Sequence, residues 1–159
     1  AVAGLLASLG PQTSPTNKTL SGVTTLAMKY TYGETSILLD AGVLSLEVRN
    51  GVRVVRGITT DKGAFQQITT RRIVDYAKAG IRQMSNPLVG KLNNERVRKA
   101  LKGALDSFLT TMVVDEALVR YQLEVKASRD DEIAGRCVVN VAMQPTFSID
   151  YIRVTLYLS

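Results

Sequence analysis

The chain has 159 residues, 45% of them apolar, and a formal net charge of +6, enough for one domain with a real core and short for two. It has no histidine and a single cysteine, Cys137, so the commonest general base is missing and neither a zinc cluster nor an internal disulfide framework can be built. No apolar run approaches the roughly 20 residues that a membrane-spanning helix needs.

Val2, Leu5, Leu6 and Leu9 recur at helical spacing, so the chain opens on what reads as a packed helix. The start at Ala1, without an initiator Met or a charged leader, gives the expectation of a piece of a longer polypeptide. Gly10 to Gly22 (GPQTSPTNKTLSG) holds two prolines and many small polar residues and is expected to be a loop. The Asn17-Lys18-Thr19 glycosylation pattern inside it has no secretory context. Gly33 to Ala41 reads as a short helix with Ile37, Leu38 and Ala41 on one face, ended by Gly42.

Val43 to Thr60 is expected to form a hairpin. Leu44, Leu46 and Val48 alternate with Ser45, Glu47 and Arg49, and Asn50-Gly51 supplies the two positive-φ residues of a type I′ turn. A helix should begin near Thr69 or Thr70, either of which can cap it. Its inner face would carry Ile73, Tyr76, Ala77, Gly80, Ile81 and Met84, with Arg71, Arg72, Asp75, Lys78 and Arg82 outward, and Asn86-Pro87 should stop it. A second helix starts at Asn93 or Asn94 and packs Val97, Leu101, Ala104, Leu105, Phe108, Leu109 and Met112. Gly103 weakens it by roughly 1 kcal/mol relative to alanine, either for close packing or as a tolerated cost.

From Val119 the period becomes two. Val119, Tyr121, Leu123 and Val125 alternate with Arg120, Gln122, Glu124 and Lys126, Ser128 to Gly135 is a charged loop, and Cys137 to Met143 is the next strand, in which the thiol should be buried. Pro145 to Ser159 reads as one long apolar strand. Its large side chains sit at odd positions up to Tyr151 and at even positions from Ile152, a phase change that means a bulge or a hand-over between packing environments. The whole order predicts one α+β domain over residues 1–159, in which helices cover one face of a mixed or antiparallel sheet, with residues 146–159 as a terminal strand or arm.

The chemistry-bearing residues point away from an enzyme. Asp130, Asp131 and Glu132 read as solvated surface, as does Asp115-Glu116. Gly90-Lys91 is not a phosphate loop, because Leu92 stands in place of Ser or Thr and Ser85 in place of the first glycine. No catalytic residue, cofactor site or metal site is expected. The basic charge is concentrated: between Arg71 and Lys102 there are nine basic residues against two acidic ones, which suits an acidic partner or a solvated pair of helix faces. Arg96, Arg98, Lys99 and Lys102 could follow a phosphate backbone, which keeps a nucleic-acid-binding or other polyanion-binding domain as the alternative. Sparse aromatics and the long connection from Ser85 to Asn93 count against it.

Asn50 to Thr60 (NGVRVVRGITT), Thr70 to Tyr76 (TRRIVDY), the long Leu/Phe helix and the closing Phe147 to Leu158 strand, in that order, resemble the carboxy-terminal half of tail sheath proteins from contractile phages and related injection machines. The upstream arm and outward-facing domains usual in that family are not among these 159 residues, so the expectation is either a piece of such a protein or a reduced relative. The resemblance implies a virion structural subunit, made in the host cytoplasm, that polymerises helically around a tail tube and contracts to drive the tube through the host envelope. It implies no cofactor and no nucleotide. The implied partners are other copies of the chain, the tail tube protein, and baseplate and tail terminator proteins at the ends, with no nucleic acid and no membrane insertion. Arms in this family add strands to neighbouring subunits, so Ile152, Val154, Leu156 and Leu158 become candidates for inter-subunit strand exchange, and Phe147 to Tyr151 would serve the subunit's own core. The carboxy-terminal domain faces the tube, so Arg96, Arg98, Lys99 and Lys102 become a candidate tube-facing basic surface.

Overall fold

The structure is a computed structural model and describes residues 1–157. Two stretches of helical spacing give its longest elements, α3 and α4, and the chain runs α1 (Val2–Ser8), α2 (Tyr32–Asp40), β1 (Leu46–Val48), β2 (Val52–Val54), α3 (Ile68–Ser85), a 3₁₀ turn (Asn86–Leu88), α4 (Glu95–Val114), β3 (Leu118–Lys126), α5 (Arg129–Ile133) and β4 (Val138–Pro145). The expected α+β class is the one observed. Among the described residues the strands form two separate antiparallel pairs, β1 with β2 and β3 with β4, in place of one sheet. The chain packs as two units, one made of residues 1–71 with the segment from Phe147, the other Arg72–Thr146; one boundary falls inside α3.

In the first unit, Leu20, Val52 and Val54 are buried among Val2, Leu5, Val23, Leu26, Leu44 and Leu46. Asn50 and Gly51 both take positive φ, as their turn requires, and the flanking pair is Val48 and Val52, so three residues make the connection. The segment read as a loop does more than connect. It lies along the free side of β2, where Leu20 N–H donates to Val52 O (2.7 Å) and Asn17 N–H to Val54 O (2.8 Å). α2 starts on a capping box in which the Thr31 hydroxyl accepts from the Glu34 N–H and the Glu34 carboxylate accepts from the Thr31 N–H.

α3 begins at Ile68, earlier than a Thr69 or Thr70 cap would place it. Its start is tied instead by backbone groups: the Ile68 N–H donates to Gly57 O (3.0 Å), and Ile58 and Gln67 form a β-bridge. Both threonines are buried in the first turn.

In the second unit, Leu101, Leu105, Leu109 and Met112 line the buried face of α4, and Ile73, Ala77, Leu109, Met112, Ala117 and Leu118 form the core with Phe108, Tyr121, Leu123, Val141 and Met143 around it. Each fully buried leucine contributes about 1.5–3 kcal/mol. Asn94 caps α4 by accepting from the Val97 N–H (2.9 Å). β3 and β4 pair from Lys126 and Val138 to Arg120 and Gln144, with an irregularity before Leu118 and Pro145. The alternation expected of β3 holds from Tyr121 onward, with Tyr121, Leu123 and Val125 half-buried and their neighbours exposed, but Val119 is exposed, because the irregularity between Leu118 and Arg120 takes it out of the register and Leu118 is buried instead. The Tyr121 hydroxyl donates to Asp106 Oδ1 (2.7 Å), tying β3 to α4. The charged loop between the strands contains α5.

Three more expectations fail at the strands and helix faces. Cys137 is exposed, because the ladder begins at Val138 and leaves the thiol outside it. Tyr76 and Met84 are not inner-face residues; Tyr76 lies half exposed with its ring 5.9 Å from that of Phe108. The strand that reaches Pro145 ends there, and no strand continues from Thr146 to Tyr157.

The two helical glycines have opposite roles. A Cβ on buried Gly80 would stand 2.0 Å from Phe108 Cζ, so the ring occupies the space a side chain would need; a Cβ on Gly103 would meet nothing within 4 Å. Gly80→Ala is therefore expected to destabilise by about 1–3 kcal/mol through overpacking. Gly103→Ala is expected to stabilise by up to about 1 kcal/mol through helix propensity. Urea unfolding of both variants checks this, and a shift of the same sign at the two sites would contradict it.

Candidate functional site

The segment after β4 is held by its polar side chains. Gln67, just before α3, accepts from the Ser148 N–H (2.9 Å) and donates to Ser148 O (2.9 Å) and Asp150 Oδ2 (3.0 Å). The Thr69 and Ser148 hydroxyls lie 2.8 Å apart. Asp150 also accepts from Arg56 Nε at 2.8 Å and from the Thr16 hydroxyl at 3.2 Å, and its side chain is only 4% exposed. Thr16 reaches it because the loop lies against Gly57, whose N–H donates to the Thr16 hydroxyl (2.9 Å) and where a Cβ would stand 2.7 Å from Pro15 Cγ.

This grip reverses the expected orientation of Phe147 to Tyr151. With Ser148 and Asp150 turned inward, the period of two sends Phe147, Ile149 and Tyr151 outward, at 65%, 77% and 77% exposure. They do not serve the subunit's own core. Arg56, Gln67, Thr16 and Ser148 do not stand out in the sequence, and Thr69 reads there as a helix cap. The available signal is an acidic residue in the middle of an apolar strand, on the face opposite the large side chains.

Of the candidate strand-exchange residues, Ile152, Val154 and Leu156 are exposed, as is Tyr157, and none belongs to a ladder. Leu158 lies outside the described residues. Among the described residues, no third strand pairs with β3 or β4, so both outer edges of that sheet have backbone groups to offer.

The four basic candidates divide. Arg96, Lys99 and Lys102 are exposed on α4, with Lys99 paired to Glu95 at 2.7 Å. Arg98 is half-buried and engaged within the unit: its Nη1 donates to Glu132 Oε1 (2.9 Å) and Asn93 Oδ1 (3.0 Å). Glu132 belongs to α5, which opens on a capping box between Ser128 and Asp131, and it also accepts from Arg129 (3.1 Å). Asp131 pairs with Arg136 at 3.2 Å. The acidic run read as solvated surface thus partly serves to hold α5 to α4. Hydrogen bonds from Arg129 and Arg98 lower the Glu132 pKa below the ordinary 4.5, and the Ser128 hydroxyl and N–H lower that of Asp131.

An open cleft of about 310 Å³ lies beside the turn between α3 and α4, lined by Leu88, Leu92, Val97, Leu101, Cys137 and Val139 among others. Among the described residues, no group of three His, Cys, Asp or Glu side chains is placed to hold a metal ion, and no helix is long and apolar enough to cross a membrane.

The fold is shared with solved sheath structures. The chain is similar to a protein of the anti-feeding prophage baseplate (TM-score 0.86, 21% identity, covering 96% of this chain and 46% of that one). It is also similar to the contracted sheath of an extracellular contractile injection system, the PVC sheath complex (0.84, 16%, 95% and 47%), and to the sheath tail protein of Listeria innocua (0.76, 16%, 92% and 38%). The chain therefore spans less than half the length of these proteins. No curated protein sequence matches it. Residues 60–159 match the phage tail sheath C-terminal domain, and the chain belongs to that family.

The Glu132 network makes acid stability testable. A carboxylate whose folded pKa is depressed adds stability above its unfolded value and loses it as pH falls through the folded value. The stability that Glu132 contributes to the wild type is therefore expected to be lost as the pH falls below the ordinary carboxylate value. Glu132→Gln should start lower at pH 6 and fall less steeply between about pH 5 and 3. Parallel profiles for the two proteins would contradict the assignment.

Proposed function

We propose that this chain is the carboxy-terminal part of a structural subunit of a contractile tail sheath, working by assembly and rearrangement of folded bodies without catalysis. The observation that carries the proposal is the pairing of two incomplete features in one molecule: a segment from Tyr151 to Tyr157 that belongs to no ladder and has its large apolar side chains in water, and a two-stranded sheet that pairs with no third strand among the described residues. Each is what the other lacks. In the proposed assembly, residues 151–157 of one copy add a strand to the β3–β4 sheet of a neighbour, backbone hydrogen bonds giving affinity and alternating side chains giving register. Val154 and Leu156, at 73% and 85% exposure, would each contribute about 1.5–3 kcal/mol once covered.

Such links join copies through flexible connections, so bodies can turn against one another while the mesh stays closed. Shortening of the sheath is then a switch between two packings of the same subunits. The membership of the family and the contracted sheath among the similar structures support this reading. Arg96, Lys99 and Lys102 form the part of the basic set that is exposed for an acidic tube surface, whereas the Arg98 guanidinium already has Glu132 and Asn93. Exposed ion pairs are individually weak, about 0–1 kcal/mol, which suits contacts that contraction must release.

Deleting residues 151–159, and keeping Ser148 and Asp150, is expected to abolish rings and tubes in negative-stain micrographs while leaving a folded monomer. Long assemblies of the shortened protein would rule out the donated strand. Reversing charge at Arg96, Lys99 and Lys102 together is expected to weaken co-assembly on the tube and to leave self-association intact. Unchanged co-sedimentation with the tube would remove the tube-facing assignment.

A further inference from the structure

An apolar segment in water collapses onto whatever apolar surface it can reach. Phe147 to Asp150 are kept from doing so by six hydrogen bonds, all made on one side of the segment, at Ser148 and Asp150. The partners come from three separate places in the first unit: Thr16 in the amino-terminal loop, Arg56 just after β2, and Gln67 and Thr69 at the start of α3. The backbone N–H and the backbone carbonyl of Ser148 are both matched by one amide side group, which imitates the pairing of a neighbouring strand. The carboxylate of Asp150, almost sealed from solvent, takes three donors at once.

We infer that this clasp is the anchor of the arm. It holds residues 147–150 extended, fixes Tyr151 as the first free residue, and sets the direction in which the arm leaves, so part of the ordering cost of strand addition is met before a partner arrives. When the arm is bound to a neighbour and the lattice rearranges, the pull is taken by Arg56 and Gln67 before it can reach the β3–β4 ladder. Asp150 and Gln67 are positioning residues in this scheme: they touch no partner, and they act through the segment they hold. The inference rests on the arm reading given above and adds to it a built-in preorganisation.

The test uses the full-length protein and two readouts. Hydrogen exchange at the Ser148 amide reports the clasp, and the critical concentration for assembly, measured by sedimentation, reports its effect on the arm. Asp150→Ala is expected to speed Ser148 exchange and to raise the critical concentration about tenfold or more. Gln67→Leu, which keeps the Arg56 ion pair, should shift both in the same direction and serves if Asp150→Ala does not fold. A double substitution, Val154→Ser with Leu156→Ser, should raise the critical concentration without changing exchange at Ser148. Fast exchange with wild-type assembly in the clasp variants, while the protein shortened after Asp150 fails to assemble, overturns the anchor alone. Normal assembly of the shortened protein overturns the anchor together with the arm.

Discussion

A carboxylate taken out of water must be met by donors or it costs several kcal/mol, and the placement of Asp150 follows from that requirement. Arg56, Gln67 and Thr16 converge on it, and because side chains alternate along an extended backbone, fixing Asp150 and Ser148 inward fixes Phe147, Ile149 and Tyr151 outward. A polar contact thus decides what the apolar side chains do. The exposed stripe is a consequence of a well-satisfied polar cluster in the first unit.

The second unit is held together by its own core. α4 lays Leu101, Leu105, Leu109 and Met112 into the core, Gly80 lets the Phe108 ring close against α3, and the Tyr121 hydroxyl ties β3 to Asp106. A single hairpin is marginal in water, and packing against a helix is what makes one stable. β3 and β4 are stable with free edges because one face is packed on α4. The Arg98 to Glu132 pair adds a second fastening, from α4 to the connection between the strands.

Much of this is legible from residue spacing. The 3.6-residue period locates α3 and α4, Asn93 or Asn94 marks the start of α4 and the structure takes the second, Asn50-Gly51 marks the hairpin, and the period-two run locates β3 from Tyr121. Misplacements arise where a contact distant in sequence decides the outcome. Thr69 and Thr70 look like caps, yet the Gly57 carbonyl takes the Ile68 N–H, and that carbonyl is eleven residues upstream. Cys137 has the neighbours of a strand residue but falls one place outside the register. Arg98 belongs to a run of basic residues and is removed from it by a glutamate on α5.

The largest reversal concerns the run from Phe147 to Tyr151, where periodicity shows that two faces differ and says nothing about which one is inside. The usual preference for burying large apolar side chains gives the wrong answer, because the inward face is held by hydrogen bonds to Gln67, Thr69 and Arg56. The same reversal moves the junction between fold and arm. The phase change at Tyr151 and Ile152 follows directly on Asp150, the last residue of the clasp, so the apolar side chains change sides where the body's hold ends.

The central claim, that the segment beyond Asp150 completes the sheet of another copy, is tested most directly by a cryo-EM reconstruction of assembled full-length protein at a resolution that separates strands. The account predicts a third strand on the β3–β4 sheet whose density traces back to Tyr151 of a neighbouring copy. A sheet that remains two-stranded in the assembly, with residues 151–157 folded onto their own subunit, would contradict it.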